Sequence, residues 1–131
     1  MSSPNPSGYA FNRTRQVLLA TQLSLAATHW LRFRGLMCTP PLDFGLGNGL
    51  WIVPCHGVHT FAMKFPIDVA YLDFDKVVVH VEHSLKPWRI ARISRKANSV
   101  LELPAQTLAS TRTQIGDAIE ISWRESREGL A

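Results

Sequence analysis

Cysteine is scarce in this chain of 131 residues, with only Cys38 and Cys55 present. Two are too few for a secreted disulfide scaffold, and they do not form a C-x-x-C pair, so a reducing compartment, the cytoplasm, is the simpler expectation. No apolar run approaches the roughly 18 residues of a membrane span, and no membrane partner is expected. The opening Met1 to Tyr9, MSSPNPSGY, lacks both a charged start and an apolar stretch, and it reads as a loose lead-in rather than an export signal. Internal repeats are missing too, as are low-complexity tracts beyond the N-terminus. With 46% hydrophobic and 18% charged residues, the composition excludes disorder, collagen and coiled coil. What is present suffices for one domain, because at this length roughly two-thirds of the unfolded surface can be buried. The reading is a flexible lead-in over 1–15, a single domain over 16–124 and a polar tail over 125–131.

Alternation dominates the pattern. Val17–Ala20 and Gln22–Leu25 read as two short strands or a hairpin broken at Thr21, and Leu50–Val53 as a strand ended by Pro54. Ile67–Leu72 and Val77–Glu82, joined by a turn at Asp73–Lys76, form the clearest hairpin. In its second strand Val77, Val79 and Val81 are expected to face the core, which leaves Val78, His80 and Glu82 partly wet. Ser99–Leu103 and Ala118–Trp123 alternate as well. One short helix is predicted over Ala26–Arg34, where Ala27, Trp30, Leu31 and Arg34 have helical spacing and Gly35 can cap the end. The glycine-rich Thr39–Gly49 leads into a strand instead of a helix, so it reads as a plain turn and not a phosphate cradle. These elements predict a mainly β (α+β) fold, a small barrel-like antiparallel sheet with one short helix.

The densest polar constellation is Pro54-Cys55-His56-Gly57-Val58-His59-Thr60-Phe61-Ala62-Met63, followed by Lys64-Phe65-Pro66-Ile67-Asp68. A thiol beside an imidazole oriented by a carboxylate is the ingredient list of a cysteine nucleophile, which makes Cys55, His59 and Asp68 the catalytic candidates. Cys38, Cys55, His56 and His59 could make a Cys2His2 metal set, but the second close cysteine pair is missing and neither metal nor cofactor is expected. Against both stands the ordinary role of cysteine as a small buried hydrophobe, with Phe61, Met63 and Phe65 alternating as core residues do.

A second signal is basic. Lys86 to Lys96 carries five positive charges in eleven residues, with Arg89, Arg92 and Arg95 spaced around Trp88. Such a segment can bind phosphates or dock on an acidic protein partner. The net charge of only +4 falls short of a nucleic-acid footprint, so RNA or DNA is not the expected partner.

Taken in order, Arg32-Phe33-Arg34-Gly35-Leu36-Met37, Pro54-Cys55, Val58-His59-Thr60-Phe61-Ala62-Met63, Pro66-Ile67-Asp68, Leu101-Glu102-Leu103-Pro104-Ala105 and Gly116-Asp117 resemble the uncharacterised ACR family over about Leu23 to Ile121. The resemblance implies a compact, mainly β domain with a barrel-like sheet, and no established reaction. Its signature positions carried onto this chain are Gly35, Leu36, Met37, Cys55, His59, Thr60, Met63, Pro66, Asp68, Glu102, Pro104 and Asp117, with His59 favoured over His56. Two departures stand out: Gln106 replaces the glycine after L-E-L-P-A, and Asp73-Phe74-Asp75-Lys76 replaces a D-G turn.

The reading that follows is a binding module whose pocket gathers Cys55, His59, Thr60, Met63 and Asp68, with Arg89 nearby and Trp51 as a wall, for a small polar or anionic ligand. The alternatives are a thiol enzyme using Cys55 and His59, and an interaction domain docking through Trp88-Arg89.

Overall fold

Ten consecutive residues, Val17–Ala26, form one strand that bulges at Thr21 and Gln22, where both N–H groups donate to the Gly47 carbonyl at 2.9 Å and the register against residues 8–10 slips by one. A computed structural model describes residues 7–124. Its strands are β1 (Gly8–Asn12), β2 (Val17–Ala26), β3 (Asn48–Ile52), β4 (Ile67–Leu72), β5 (Val78–Leu85), β6 (Ser99–Pro104) and β7 (Ile119–Trp123). They form one seven-stranded sheet in the order β5-β4-β6-β3-β2-β1-β7. All pairings are antiparallel except β2 with β3, which run parallel.

The sheet curls until its two edges meet at one end. Val77 bridges Ala118, the Val78 N–H donates to the Asp117 carbonyl, and the Ile119 N–H donates to that of Lys76. The result is a half-barrel, in keeping with the mainly β, barrel-like sheet that the sequence predicts, with edge strands protected at that corner. Residues 8–12 correct the expected loose lead-in: they form β1, paired on both sides, because the small Ala10 and the amide of Asn12 face inward at 0% exposure. Residues 1–6 and the expected tail 125–131 lie outside the described residues.

The two faces bury separate cores. One gathers Ala10, Leu23, Ala70, Leu72, Val78, Leu101, Leu103 and Ile119, and is capped by Leu108 of the short helix α2 (Thr107–Ser110). The other gathers Leu50, Ile52, Ile67, Val69, Tyr71 and Val100 beneath loop residues Leu36, Phe44, Met63 and Ala97. Strand parity sets this division: along β4 the even positions serve the first core and the odd positions the second. Each fully buried aliphatic side chain contributes roughly 1.5–3 kcal/mol.

Parity fails in β5. Tyr71 pairs with His80 but Leu72 with Val78, so one extra residue is accommodated in a bulge. Val78 therefore turns into the first core at 1% exposure, while Val79 packs on the second and Val81 on the first. This corrects the predicted valine face.

The helix α1 (His29–Arg34) is shorter than predicted. Thr28 caps it by accepting the Leu31 N–H on Oγ1 at 3.1 Å, and Gly35 ends it at φ +48°. Since β2 continues to Ala26, the helix cannot begin there. None of its residues is buried, leaving Trp30 and Phe33 in the open. A 3-10 turn spans Pro41–Asp43.

Candidate functional site

Asp68 was the expected orienter of His59, but it faces away from it. On β4 it shares parity with Ala70 and Leu72, on the face opposite the one that Cys55 packs against. Fully buried, it accepts the Ser84 N–H on Oδ1 at 2.8 Å and the Leu108 N–H on Oδ2 at 2.9 Å, pinning the twist of β5 and the first turn of α2. Thr60 is likewise a structural pin. Its Oγ1 donates to the Lys86 carbonyl at 2.6 Å and accepts the Arg89 N–H at 2.8 Å, so the Arg89 backbone is fixed while its side chain is exposed. Met63, at 4% exposure, is core, and Trp51 packs on the opposite core.

Cys55 and His59 lie on one loop but are not coupled as nucleophile and base. The Cys55 thiol donates to the Gly57 carbonyl at 2.9 Å. Burial pushes its pKa up, against the opposing pull of that Gly57 hydrogen bond. This is the reverse of thiol activation. Both ring nitrogens of His59 are taken by backbone: Nε2 donates to the Phe33 carbonyl at 3.0 Å and Nδ1 accepts the Phe61 N–H at 3.2 Å, which selects the Nε2–H tautomer. No nitrogen is left to take a proton from sulfur. Nor are the Cys2His2 residues gathered: Cys38 is exposed, the His56 ring bonds the Ala97 carbonyl, and among the described residues no group of three His, Cys, Asp or Glu side chains could hold a metal.

What the second face does assemble is a different constellation. Glu102 shares the parity of Val100 on β6 and is 1% exposed, beneath α1 and the 57–59 loop. Burial raises its pKa to about 8, so at neutral pH it is mostly the protonated acid. Among the described residues its Oε1 has no hydrogen-bond partner, and neither does the buried Nε of Arg32. The two line one small cleft of about 40 Å³ with Phe33, Gly35, Gly57 and His59. Arg32 is held over it by donating to the Pro54 carbonyl at 3.0 Å and to His29 Nδ1 at 2.9 Å. Gly35 closes the roof, for a Cβ there would stand 3.6 Å from Glu102 Oε1.

Two polar groups are thus buried without partners around a space large enough for a small functional group. Glu102 and Arg32 belonged to the motifs read from the sequence, but nothing in the alternation of Ser99–Leu103 distinguished a carboxyl covered by distant loops from one facing solvent.

Among the described residues, no helix is long and apolar enough to cross a membrane. The family model described as Uncharacterized ACR (DUF192) matches residues 10–121. A UPF0127 protein of Thermococcus sibiricus is 30% identical over 124 residues, covering 91% of this chain and 78% of its own. One from Pyrococcus abyssi is 38% identical over 119 residues, covering 86% and 97%. Two crystal structures share the fold. A protein of unknown function from Novosphingobium aromaticivorans superposes with a TM-score of 0.74 at 18% identity, over 87% of this chain and 83% of that one. A putative transcription regulator from Sinorhizobium meliloti gives 0.75 at 19%, over 91% and 97%.

Proposed function

Because the chain belongs to the uncharacterized ACR family, for which no reaction is set, we propose a reading from the site alone: a binding module for a small polar or anionic ligand, seated between Arg32, His59 and Glu102. One observation carries it. The buried Glu102 Oε1 and Arg32 Nε both lack partners and line the same cleft. An unsatisfied buried polar group costs about 1–3 kcal/mol, and a ligand that completes both recovers it. A carboxylate or hydroxyl suits the pair, since Arg32 Nε–H donates and the protonated Glu102 can donate or accept. With room for only one such group, the cleft takes the polar end of a ligand whose remainder lies outside against Phe33 and His59.

This replaces the Cys55, His59, Thr60, Met63, Asp68 and Arg89 pocket, keeping only His59. The proposed location is the cytoplasm, in keeping with two cysteines that are both free.

Thermal-shift screening of small carboxylic acids and polyols tests the reading. A true ligand at 100-fold its Kd stabilises the wild type by about 2.7 kcal/mol and leaves Glu102→Leu and Arg32→Met unmoved. If every compound shifts the variants as much as the wild type, the cleft binds nothing.

A further inference from the structure

The net charge of +4 conceals a segregation. Three segments, 27–38, 53–66 and 86–98, contain eight of the chain's 14 Lys and Arg residues and none of its ten Asp and Glu residues. The fold brings them together. The Arg32 guanidinium reaches the Pro54 carbonyl and His59 the Phe33 carbonyl, while the Thr60, Ala91 and Ser94 N–H groups donate to Arg89, Val58 and His56. Glu102, beneath this face, is buried and mostly uncharged at neutral pH, and the Glu82 carboxylate at its margin is bonded to His80 Nε2 at 2.6 Å.

Across the same face runs a chain of five aromatic rings from three separate segments. Trp30 meets Phe33 at 6.3 Å between centroids, Phe33 meets His59 at 5.4 Å, His59 meets Phe61 at 5.0 Å and Phe61 meets Trp88 at 6.1 Å. Trp30 and Trp88, at its two ends, are 66% and 64% exposed. Soluble proteins seldom leave such groups open without use. Farther along, the basic segment borders a hollow of about 350 Å³ lined by His80, Arg92, Ser94, Arg95 and Lys96, with none of the five rings in its lining.

We propose that this face binds single-stranded nucleic acid, the bases stacking on the Trp30-Phe33-His59-Phe61-Trp88 row and the phosphates following Arg89, Arg92, Arg95 and Lys96. Charge complementarity calls for a polyanion, and serial rings call for one with flat apolar faces at successive positions. Single strands offer both, whereas a duplex keeps its bases stacked inside. An acidic peptide would use the arginines without needing a row of rings. An anionic membrane would use the exposed Ile90 and Ile93 with no need for rings in series. Binding of this kind tolerates any sequence, because every base has a π-face.

The test is fluorescence anisotropy of labelled twelve-nucleotide oligo-U and oligo-dT with the full chain, read alongside intrinsic tryptophan emission. The expected result is saturable binding with tryptophan quenching, tighter than to a twelve-base-pair duplex and at least tenfold weaker at 200 mM than at 50 mM salt. Trp30→Ala and Trp88→Ala each weaken it about 5- to 150-fold, while the Phe replacements retain most of it. Arg89→Glu with Arg92→Glu abolishes it. All four positions are exposed, so unchanged melting temperatures will show that the variants fold. Glu102→Leu leaves oligonucleotide binding intact, which separates this proposal from the small-ligand reading. Equal affinity for single strand, duplex and heparin, with the tryptophan variants unaffected, would reduce the face to a plain polyanion attractor and overturn the proposal. So would capture of phosphatidylserine vesicles or of a poly-Glu peptide with no oligonucleotide bound.

Discussion

Asp68 and Glu102 are buried carboxyls on paired strands, yet they face opposite sides of the sheet, because Glu102 stands across from Val69 and Asp68 across from Leu103. One is fully employed by backbone N–H groups, whereas the other keeps an unpartnered oxygen. Their substitutions should therefore differ in kind.

Asp68→Ala leaves the Ser84 and Leu108 N–H groups buried without an acceptor, at a cost of about 2–4 kcal/mol. Chemical denaturation should show the midpoint falling, with ligand response at the Glu102 cleft preserved in the folded fraction. Thr60→Val, which loses the bonds to Lys86 and Arg89, should cost about 1–2 kcal/mol.

Glu102 makes stability depend on pH. Its folded pKa of about 8 lies above the unfolded carboxyl value, so the folded state holds the extra proton between roughly pH 4.5 and 8. Stability must then fall as pH rises through that window, by up to ~5 kcal/mol, less whatever relaxation admits water. Melting temperature against pH should decline in the wild type and flatten in Glu102→Gln. Anion binding at the cleft should weaken above pH 8, once Glu102 carries charge.

Asp117 has the opposite sign. Burial alone would raise its pKa, but hydrogen bonds from Asn12, Arg15 and the Gln114 N–H outweigh it and hold the carboxyl below its ordinary value. Its contribution is present above the unfolded pKa and is lost as pH falls through the depressed folded one. Asp117→Asn should remove part of the acid sensitivity and lower the melting temperature at pH 7.

Gln106 occupies φ +79°, a left-handed conformation, at the position where the resemblance read from the sequence implies glycine. Gln106→Gly should relieve the strain and raise stability by up to about 1 kcal/mol, offset by glycine's greater freedom when unfolded. Gln106→Val should do the reverse, because β-branching makes positive φ worse.

Cys55 should alkylate slowly at pH 7, with a midpoint above that of a free thiol, because burial raises its pKa and no imidazole offers a proton sink. Rates of iodoacetamide labelling against pH measure this, with the exposed Cys38 as internal control.

Much of the sheet was legible because β7 alternates apolar with polar residues and β4 and β6, buried on both faces, are short apolar-rich runs bounded by turn residues. The D-G turn's replacement also makes local sense: Asp73 Oδ1 accepts the Asp75 and Val77 N–H groups, and Lys76 takes φ +61°. The parallel β2–β3 pair and the β5 bulge left no local trace, since both depend on partners distant in the chain. The site was legible only in part. Nearness in sequence tied Asp68 to His59, but strand parity sends it to the other face. Glu102 read as one polar member of an alternating run, and its burial is created by α1 and the 57–59 loop. The face of aromatic rings and arginines is hidden from arithmetic on the whole chain, because the acids elsewhere cancel it.

The Arg124 N–H donates to the Ser7 carbonyl, and β1 lies along β7 from Gly8–Trp123 to Asn12–Ile119. In space the backbone is a nearly closed circuit. Joining 124 to 7 by a short linker and cutting instead between Leu42 and Leu46, whose side chains are 96% and 94% exposed, should give a circular permutant that keeps every strand pairing. The same closure means that a growing chain cannot finish its sheet on the ribosome until β7 has emerged, for β1 waits for it.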